Sequence, residues 1–330
     1  MPANIYINRD RLPDDTASRQ QLLSRYFQRQ EIDIELAESS WHVKTNWTRN
    51  PNYYIDPSLN QGLDSWFNPL TTATIPLAVT QDDGFLLALN DCWSLLSWSL
   101  KLNEWQQQGI KAHKINIIHL DSHTDMNSPR LSLNNDGSWQ DLLSGKKFDV
   151  LDPNSITQAI MSGAIGIGSF ISPLIAGNID IDLYHLSPAQ HFRYQPDQYS
   201  LTLNYERNDP LFETAIRSKL VVGHTHSNSS YTLTDDLTAI CKTIDHRYPI
   251  FLHIDLDYFN NRFDGRPDWK KQSSRHDPSI TQVLEQVDDV FQQLRDSQIK
   301  LVDICVGVSP GFFPAEFWQA TLKQIRKHVK

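Results

Sequence analysis

Two short stretches carry the residues whose types and spacing could do chemistry. INIIHLDSHTDMNSP, residues 115–129, begins as an apolar run and then sets Asp121, His123 and Asp125 at alternate positions. FLHIDLDYF, residues 251–259, closes a second apolar run with Asp255 and Asp257, again two apart. Side chains two apart on an extended chain face the same way, so each run delivers its acids to one side of a strand end. Burying carboxylates without compensation is costly. One such pair is explained by an exposed strand end. Two strands that both end in acids, with an imidazole among them, point to a metal site. Four carboxylates and an imidazole can hold two divalent cations, some carboxylates bridging. The oxygen-rich set favours a hard ion, Mn2+ or Mg2+, over zinc, and the imidazole tilts the choice to manganese. Two such ions roughly 3.5–4 Å apart can share a hydroxide and deliver it to a polarised carbon or phosphorus centre.

The elements that must position these residues follow from the surrounding pattern. IPLAVT (75–80) reads as a strand and LLALNDCWSLLSWSLKLNEW (86–105) as a helix. INIIHLD (115–121), AIGIGS (164–169), IDLYHL (181–186), KLVVG (219–223), PIFLHIDLD (249–257) and KLVDICVGV (300–308) are short apolar runs that read as further strands. PSITQVLEQVDDVFQQLRDS (278–297) is helical, with Asp277 as capping acid and Pro278 as its first residue. Strands alternating with helices predict an α/β fold, a mainly parallel sheet with helices on both faces. Ligands in such sheets sit beyond the carboxyl ends of strands where strand order reverses, and Asp121, His123 and Asp125 follow a strand at such an end. Residues 1–74 are expected to form a helical and loop extension on one catalytic domain spanning 1–330. In it, TASRQQLLSRYFQRQ (16–30) reads as a helix. The segment 40–75, with Trp41, Trp47, Tyr53, Tyr54, Trp66 and Phe67 among Asn, Pro and Ser, reads as loop, either pinned to the surface by its aromatics or walling a binding groove.

Composition bounds the partners. With 30 basic and 39 acidic residues the net charge is −9, which argues against nucleic acid or an anionic membrane and mildly favours a cationic substrate. The N-terminal stretch MPANIYINRDRLPDD has no basic-then-apolar signal pattern, and no apolar run approaches a membrane span. Cys92, Cys241 and Cys305 are widely spaced and suggest no disulfide framework, so a cytoplasmic location is expected.

The motifs also carry a family resemblance. Asp121-Ser-His123-Thr-Asp125-Met-Asn127-Ser-Pro129 is similar to the Asp-Ala-His-Thr-Asp-Ile-Asn-Thr-Pro signature of arginases, and His253-Ile-Asp255-Leu-Asp257 resembles their Ser-Phe-Asp-Val-Asp strand. His119 and His253, each two residues ahead of a metal aspartate, bring the chain closer to a divergent arginase-like group that includes peptide arginases, which convert arginine within ribosomal peptides to ornithine. The resemblance implies a three-layer α/β/α arginase-like fold, two Mn2+ per chain and hydrolysis of a guanidine to urea, with an arginine-containing peptide as partner. Carried over by position, Asp121 and Asp255 would bridge the ions, Asp125 would complete one, and His123 and Asp257 the other. Arginases draw a further ligand from a histidine at the start of an earlier helix. ALNDCWSLLSW has none; Asp91 fits best by its spacing, with Cys92 the adjacent alternative, although thiolate suits manganese poorly.

Other family features are missing, and substitutes must be sought. The acid that grips the guanidinium has no counterpart in DICVGVSPGFF, so Asp82 or Asp83 would take its place. The histidine expected after the first motif is absent from RLSLNNDGSWQDLL, which leaves His224 or His226 of GHTHSNSSY as proton donor, against a reading of both as loop histidines. Asn127, Ser128 and Ser309 would line the substrate pocket, and His119 and His253 would hydrogen-bond the metal carboxylates or simply be satisfied core histidines. Two competing readings keep the metals: a deacetylase-like amidohydrolase or phosphoesterase, and a non-catalytic metal-binding module.

Overall fold

The computed structural model describes residues 4–27, 31–46, 55–66, 68, 70–82, 84–272 and 275–329. In chain order the elements are β1 (Asn4–Asn8), α1 (Thr16–Tyr26), β2 (Glu31–Ala37), β3 (Ser40–Asn46), α2 (Leu59–Asp64), β4 (Val79–Asp82), β5 (Phe85–Ala88), α3 (Ser94–Gln107), β6 (Lys114–Leu120), β7 (Leu131–Leu133), β8 (Trp139–Asp141) and β9 (Lys147–Phe148). They continue with α4 (Pro153–Ser162), α5 (Ser172–Ala176), β10 (Asp180–Leu186), β11 (Asp197–Glu206), β12 (Arg217–Gly223), β13 (Ser229–Thr234), α6 (Leu237–Thr243), β14 (Ile250–Asp255), α7 (Ile280–Asp296), β15 (Leu301–Gly307) and α8 (Trp318–Val329).

The fold is mixed α/β around a twelve-stranded sheet ordered β4-β5-β15-β14-β6-β10-β13-β11-β12-β7-β8-β9. Its centre, β5-β15-β14-β6-β10-β13, is parallel throughout. The strands flanking it pair antiparallel. From β6 the chain steps outward to β10 and β13, then returns to β14 on the other side of β6 and moves to β15. Strand order therefore reverses between β6 and β14, the place where open α/β sheets bind ligands. Both motif strands end there.

Alternation along the strands gives the sheet two apolar faces. Leu87, Ile118, Leu120, Leu252 and Ile254 pack with α2, α6, α7 and α8. Leu86, Ile115, Ile117, Phe251 and Cys305 pack with α3, α4 and α5. Among the described residues no helix is long and apolar enough to cross a membrane.

Several local expectations change. LLAL opens not a helix but β5, because this run is buried on both sides between β4 and β15; short apolar runs do not distinguish the two states. The helix starts only at Ser94. IPLAVT is a 3-10 turn, Thr72–Leu77, leading into β4. AIGIGS forms no strand; its glycines carry a loop. KLVVG is a strand, but in the antiparallel part of the sheet. Helix α7 is capped by Ser279 in a capping box with Gln282, while Asp277 instead receives Arg262, Arg275 and Asn260.

The N-terminal segment is more than helix and loop. β1, β3 and β2 form a small antiparallel sheet, and with α1 they enclose a third apolar cluster that includes Leu143 and Leu211 of the main body. Trp41 belongs to this cluster, with the Arg19 guanidinium 3.9 Å over its ring, and Trp66 packs on the α7–α8 side. Neither lines the cavity where the motif strands end. Trp47, Tyr53, Tyr54 and Phe67 lie outside the described residues.

Candidate metal centre

Four adjacent parallel strands, β5, β15, β14 and β6, present their carboxyl ends to one cavity of about 120 Å3. Asp91, His123, Asp125, Asp255, Asp257 and Ser309 line it, together with Thr124, Asn127, Ile167, Gly168, Arg193 and Phe312. Asp121 is fully buried, with ligand atoms within 4.8 Å of those of Asp91 and Asp125. The chain reaches these positions through unusual backbone. Asp125 and Ser309 have φ of 49° and 53°, a left-handed conformation that non-glycine residues seldom adopt and that clusters at functional sites. Two glycines make room. A Cβ on Gly307, at the end of β15, would stand 2.7 Å from Asp91 Cβ and 2.9 Å from its Cα. Gly168, at φ 78°, would bring a Cβ to 3.1 Å from Asn127 Nδ2.

Backbone donors orient the acids and leave oxygens free. His123 N donates to Asp121 Oδ1 at 2.6 Å and Ser122 N to Asp257 Oδ1 at 3.0 Å. The opposite oxygens, Asp121 Oδ2 and Asp257 Oδ2, are buried with no hydrogen bond, as are Asp91 Oδ1 and Asp125 Oδ2. Buried carboxylate oxygens are normally paired; three without a partner, and a fourth, Asp257 Oδ2, facing only His123 Nδ1, are what a cation could satisfy. Ligand atoms of Asp91, Asp121 and Asp125 lie within 4.8 Å of one another, and so do those of Asp121, His123 and Asp257. Asp121 is common to both groups, as a bridging ligand requires. Asp255 belongs to neither group: Asp257 N donates to its Oδ1 at 3.0 Å and Ser309 Oγ to its Oδ2 at 2.6 Å. Each of those oxygens keeps a second lone pair.

Electrostatics agree with this donor set. Burial, then the neighbouring carboxylates, raises the pKa of Asp91, Asp121 and Asp255 well above the usual carboxylate range. Burial raises Asp125 as well. So many acids ionise together only beside compensating positive charge. Burial opposes protonation of His123, but Asp257, Asp121 and Asp264 outweigh it and raise its pKa. Burial, then Asp91 and Asp125, pushes the Cys92 thiol well up, so Cys92 is a protonated core thiol and Asp91 the better donor. The residues present fit a pair of hard divalent cations.

The structure adds a residue that spacing did not reveal. His123 Nδ1 faces the cluster, 2.8 Å from Asp257 Oδ2 and 3.5 Å from Asp121 Oδ1. Its Nε2 meets Asp264 Oδ1 at 3.3 Å. A carboxylate on the far nitrogen fixes the tautomer that leaves Nδ1 as the ligand. Asp264 itself has φ 47° and sits in a loop with no acid-ended strand to mark it.

His119 and His253 are placed differently from expectation. His119 Nε2 stands 3.6 Å and 3.7 Å from the Asp121 and Asp125 carboxylates, beyond hydrogen-bond range. It is nearer the His123 carbonyl, at 3.3 Å, and its Nδ1 meets His253 Nδ1 at 2.7 Å. The two rings stack with centroids 4.7 Å apart. His185 of β10, unremarked in its strand IDLYHL, completes a row across three neighbouring strands in register. Its Nε2 meets the Asp121 carbonyl at 3.0 Å and its Nδ1 the Tyr231 hydroxyl at 2.8 Å. His119 and His185 brace the backbone beneath the cluster, whereas His253 meets only His119 and leaves its Nε2 buried without a partner; ligand atoms of His119, Asp121 and His253 also lie within 4.8 Å of one another. Burial lowers the pKa of His185 to about 4 and of His253 to about 3, so both are neutral.

Two other expectations fail on geometry, and a third fails for one of its two residues. His224 and His226 are exposed and line no part of the cavity. They sit in the crossover from β12 to β13, whose Asn228 carbonyl accepts Lys114 Nζ from the amino end of β6, the end opposite the cluster. Ser128 Oγ donates to the Ser218 carbonyl at 2.5 Å and does not face the cavity. Asp82 pairs with Phe85 at the amino end of β5 and binds Arg326 at 2.7 Å; Asp83 lies outside the described residues. His191 has a buried Nε2 without a partner and lies within electrostatic reach of Asp257 and His123, though it too is absent from the cavity lining. It follows β10 in SPAQHF, a loop that no motif marks. Neither a protein-family model nor a curated protein matches this chain, so the reading of the centre rests on its own residues and geometry.

Proposed function

We propose that the chain is a peptide arginase of the arginase-like superfamily, using two Mn2+ to convert arginine residues within a peptide to ornithine and urea. One observation carries this reading. Asp91, Asp121, His123, Asp125, Asp255 and Asp257 converge at the strand-order reversal with three carboxylate oxygens unpaired and a fourth facing only His123. When bound, the two ions would supply an activated water and the positive charge that lets the acids ionise together. Asp91, Asp121 and Asp125 would hold one, and Asp121, His123 and Asp257 the other, with Asp255 sharing its remaining lone pairs.

The chain's own residues would do the rest. A cavity of about 120 Å3 is smaller than the roughly 300–1,000 Å3 of ordinary ligand sites and suits one elongated side chain. Phe312 and Ile167 supply apolar walls, and the anionic floor attracts a guanidinium. Water oxygen joins the guanidinium carbon as its bond to the side-chain nitrogen breaks. The departing amine needs a proton, which water or His191, with its unpartnered Nε2, would supply. A peptide rather than the free amino acid is favoured because Ser128, near the end of the first metal motif, donates its hydroxyl proton to the Ser218 carbonyl and so does not offer it to an α-carboxylate.

Urea release from an internal-arginine peptide in the presence of Mn2+ tests the reading. Release should require the metal and vanish in Asp257→Ala; release of acetate or phosphate from the corresponding esters or amides instead would move the chain to a different hydrolase class.

A further inference from the structure

Of the residues that line the cavity, Asn127 and Arg193 alone are exposed, so they form its mouth. Arg193 is also the one Lys or Arg in that lining. Every other charged group there is an acid or His123. Its guanidinium makes no hydrogen bond and no ion pair with any described residue, whereas Arg217, Arg262 and Arg326 are each committed to carboxylates. It stands on the loop between β10 and β11, next to Tyr194, which is 41% exposed and whose ring lies 5.9 Å from Tyr199 and 6.0 Å from Tyr231. The aromatic packing ties down the backbone that carries the free cation.

A cation at the mouth of an acid-floored cavity poses a physical problem. It repels a cationic side chain on approach and so opposes the attraction of the carboxylates below. The repulsion becomes attraction if the substrate carries a negative group close to its cation. Arginine guanidinium is suited to such a group because it binds carboxylate through two parallel hydrogen bonds. We propose that Arg193 is a specificity residue that selects arginine side chains flanked by a carboxylate, so that the substrate is a dipole with its cation inside and its anion at the mouth. The carboxylate comes from an acidic residue beside the reacting arginine. This inference rests on the arginine-hydrolysing reading of the site for the identity of the cation, while the charge arrangement is independent of it.

The test uses the Mn2+-loaded protein and amide-capped peptides in which one arginine is flanked by Glu, Gln or Lys. Binding of fluorescently labelled peptides is read by anisotropy, and urea release gives kcat and KM. Glu-flanked peptide should bind about fivefold tighter than Gln-flanked peptide, in the range of an exposed ion pair of good geometry, with the difference appearing in KM and shrinking at high salt. Arg193→Gln should erase the preference and Arg193→Glu should turn it toward Lys-flanked peptide. Equal binding of the Glu- and Gln-flanked peptides to the unaltered protein, or a preference that survives in Arg193→Gln, would overturn the proposal. Absence of urea from every peptide would refute the hydrolytic reading alone, since the binding order is measured without turnover.

Discussion

Asp121 is the residue on which the two halves of the centre depend. Its ligand atoms reach both the Asp91–Asp125 group and the His123–Asp257 group, so Asp121→Ala should lose both Mn2+ by elemental analysis. Asp91→Asn should lose one, because Asp91 serves a single group. Cys92→Ser should leave stoichiometry unchanged, given a buried thiol pushed toward its protonated form. Loss of metal in Cys92→Ser with full retention in Asp91→Asn would exchange their roles. Asp264 acts through His123 rather than on an ion. Removing its charge in Asp264→Asn should weaken metal affinity roughly 10–100-fold, as for other partners of ligating histidines, while two ions still bind at saturation. A titration curve indistinguishable from that of the unaltered protein would show that Asp264 has no part in orienting the ring.

At the scale of elements, the centre depends on close approach between β15 and the turn that follows β5. Gly307→Ala would drive a Cβ into backbone as well as side-chain atoms of Asp91. The expected result is a loss of about 1–3 kcal/mol of stability together with selective weakening of one ion, read by chemical denaturation and metal titration. The N-terminal sheet is joined to the body through Arg130, just past the first metal motif. Its buried guanidinium donates to the Gly163 and Tyr26 carbonyls and lies over the Tyr26 and Phe27 rings. Arg130→Met should cost about 2 kcal/mol, the scale of a charged hydrogen bond removed from a buried site. How much of this could be read beforehand depends on the interaction involved. β6 and β14 declared themselves by apolar runs ending in acids, and helix α7 by its periodicity. β11 and β13 lack such a run: Tyr and Leu alternate there with Ser, Thr and Asn, the period-two pattern of half-buried strands. β5 read as helix because a four-residue apolar run has no period of its own. Asp264, His185 and His191 meet the centre only through tertiary folding, so no local spacing could mark them. His224 and His226 illustrate the converse error: a motif-like cluster in a loop that the sheet order carries to the amino end of the parallel strands.

For the whole molecule, the buried acids make stability depend on both pH and metal. In the metal-free protein, Asp91, Asp121 and Asp255 have raised pKa values, so the folded state binds more protons than the unfolded one. Their contribution is full at low pH and is lost as pH rises through the folded values. His185 and His253, lowered to about 4 and about 3, act in the opposite sense, but only below their ordinary value of about 6.5. Above that pH the acids are left to dominate, joined by His123 with its raised pKa. The Tm of metal-free protein should therefore fall between pH 6.5 and 8.5, and Mn2+ should raise Tm more at pH 8.5 than at pH 6.5. A metal-free Tm that rises over that interval would contradict the assignment of these acids as the main uncompensated charge. The central claim, that this cluster hydrolyses arginine within a chain, is tested most directly by urea release. With Mn2+ present, kcat/KM for a peptide with one internal arginine should far exceed that for free arginine, with ornithine appearing at that position by mass spectrometry. Turnover of free arginine equal to or better than that of the peptide would contradict the account.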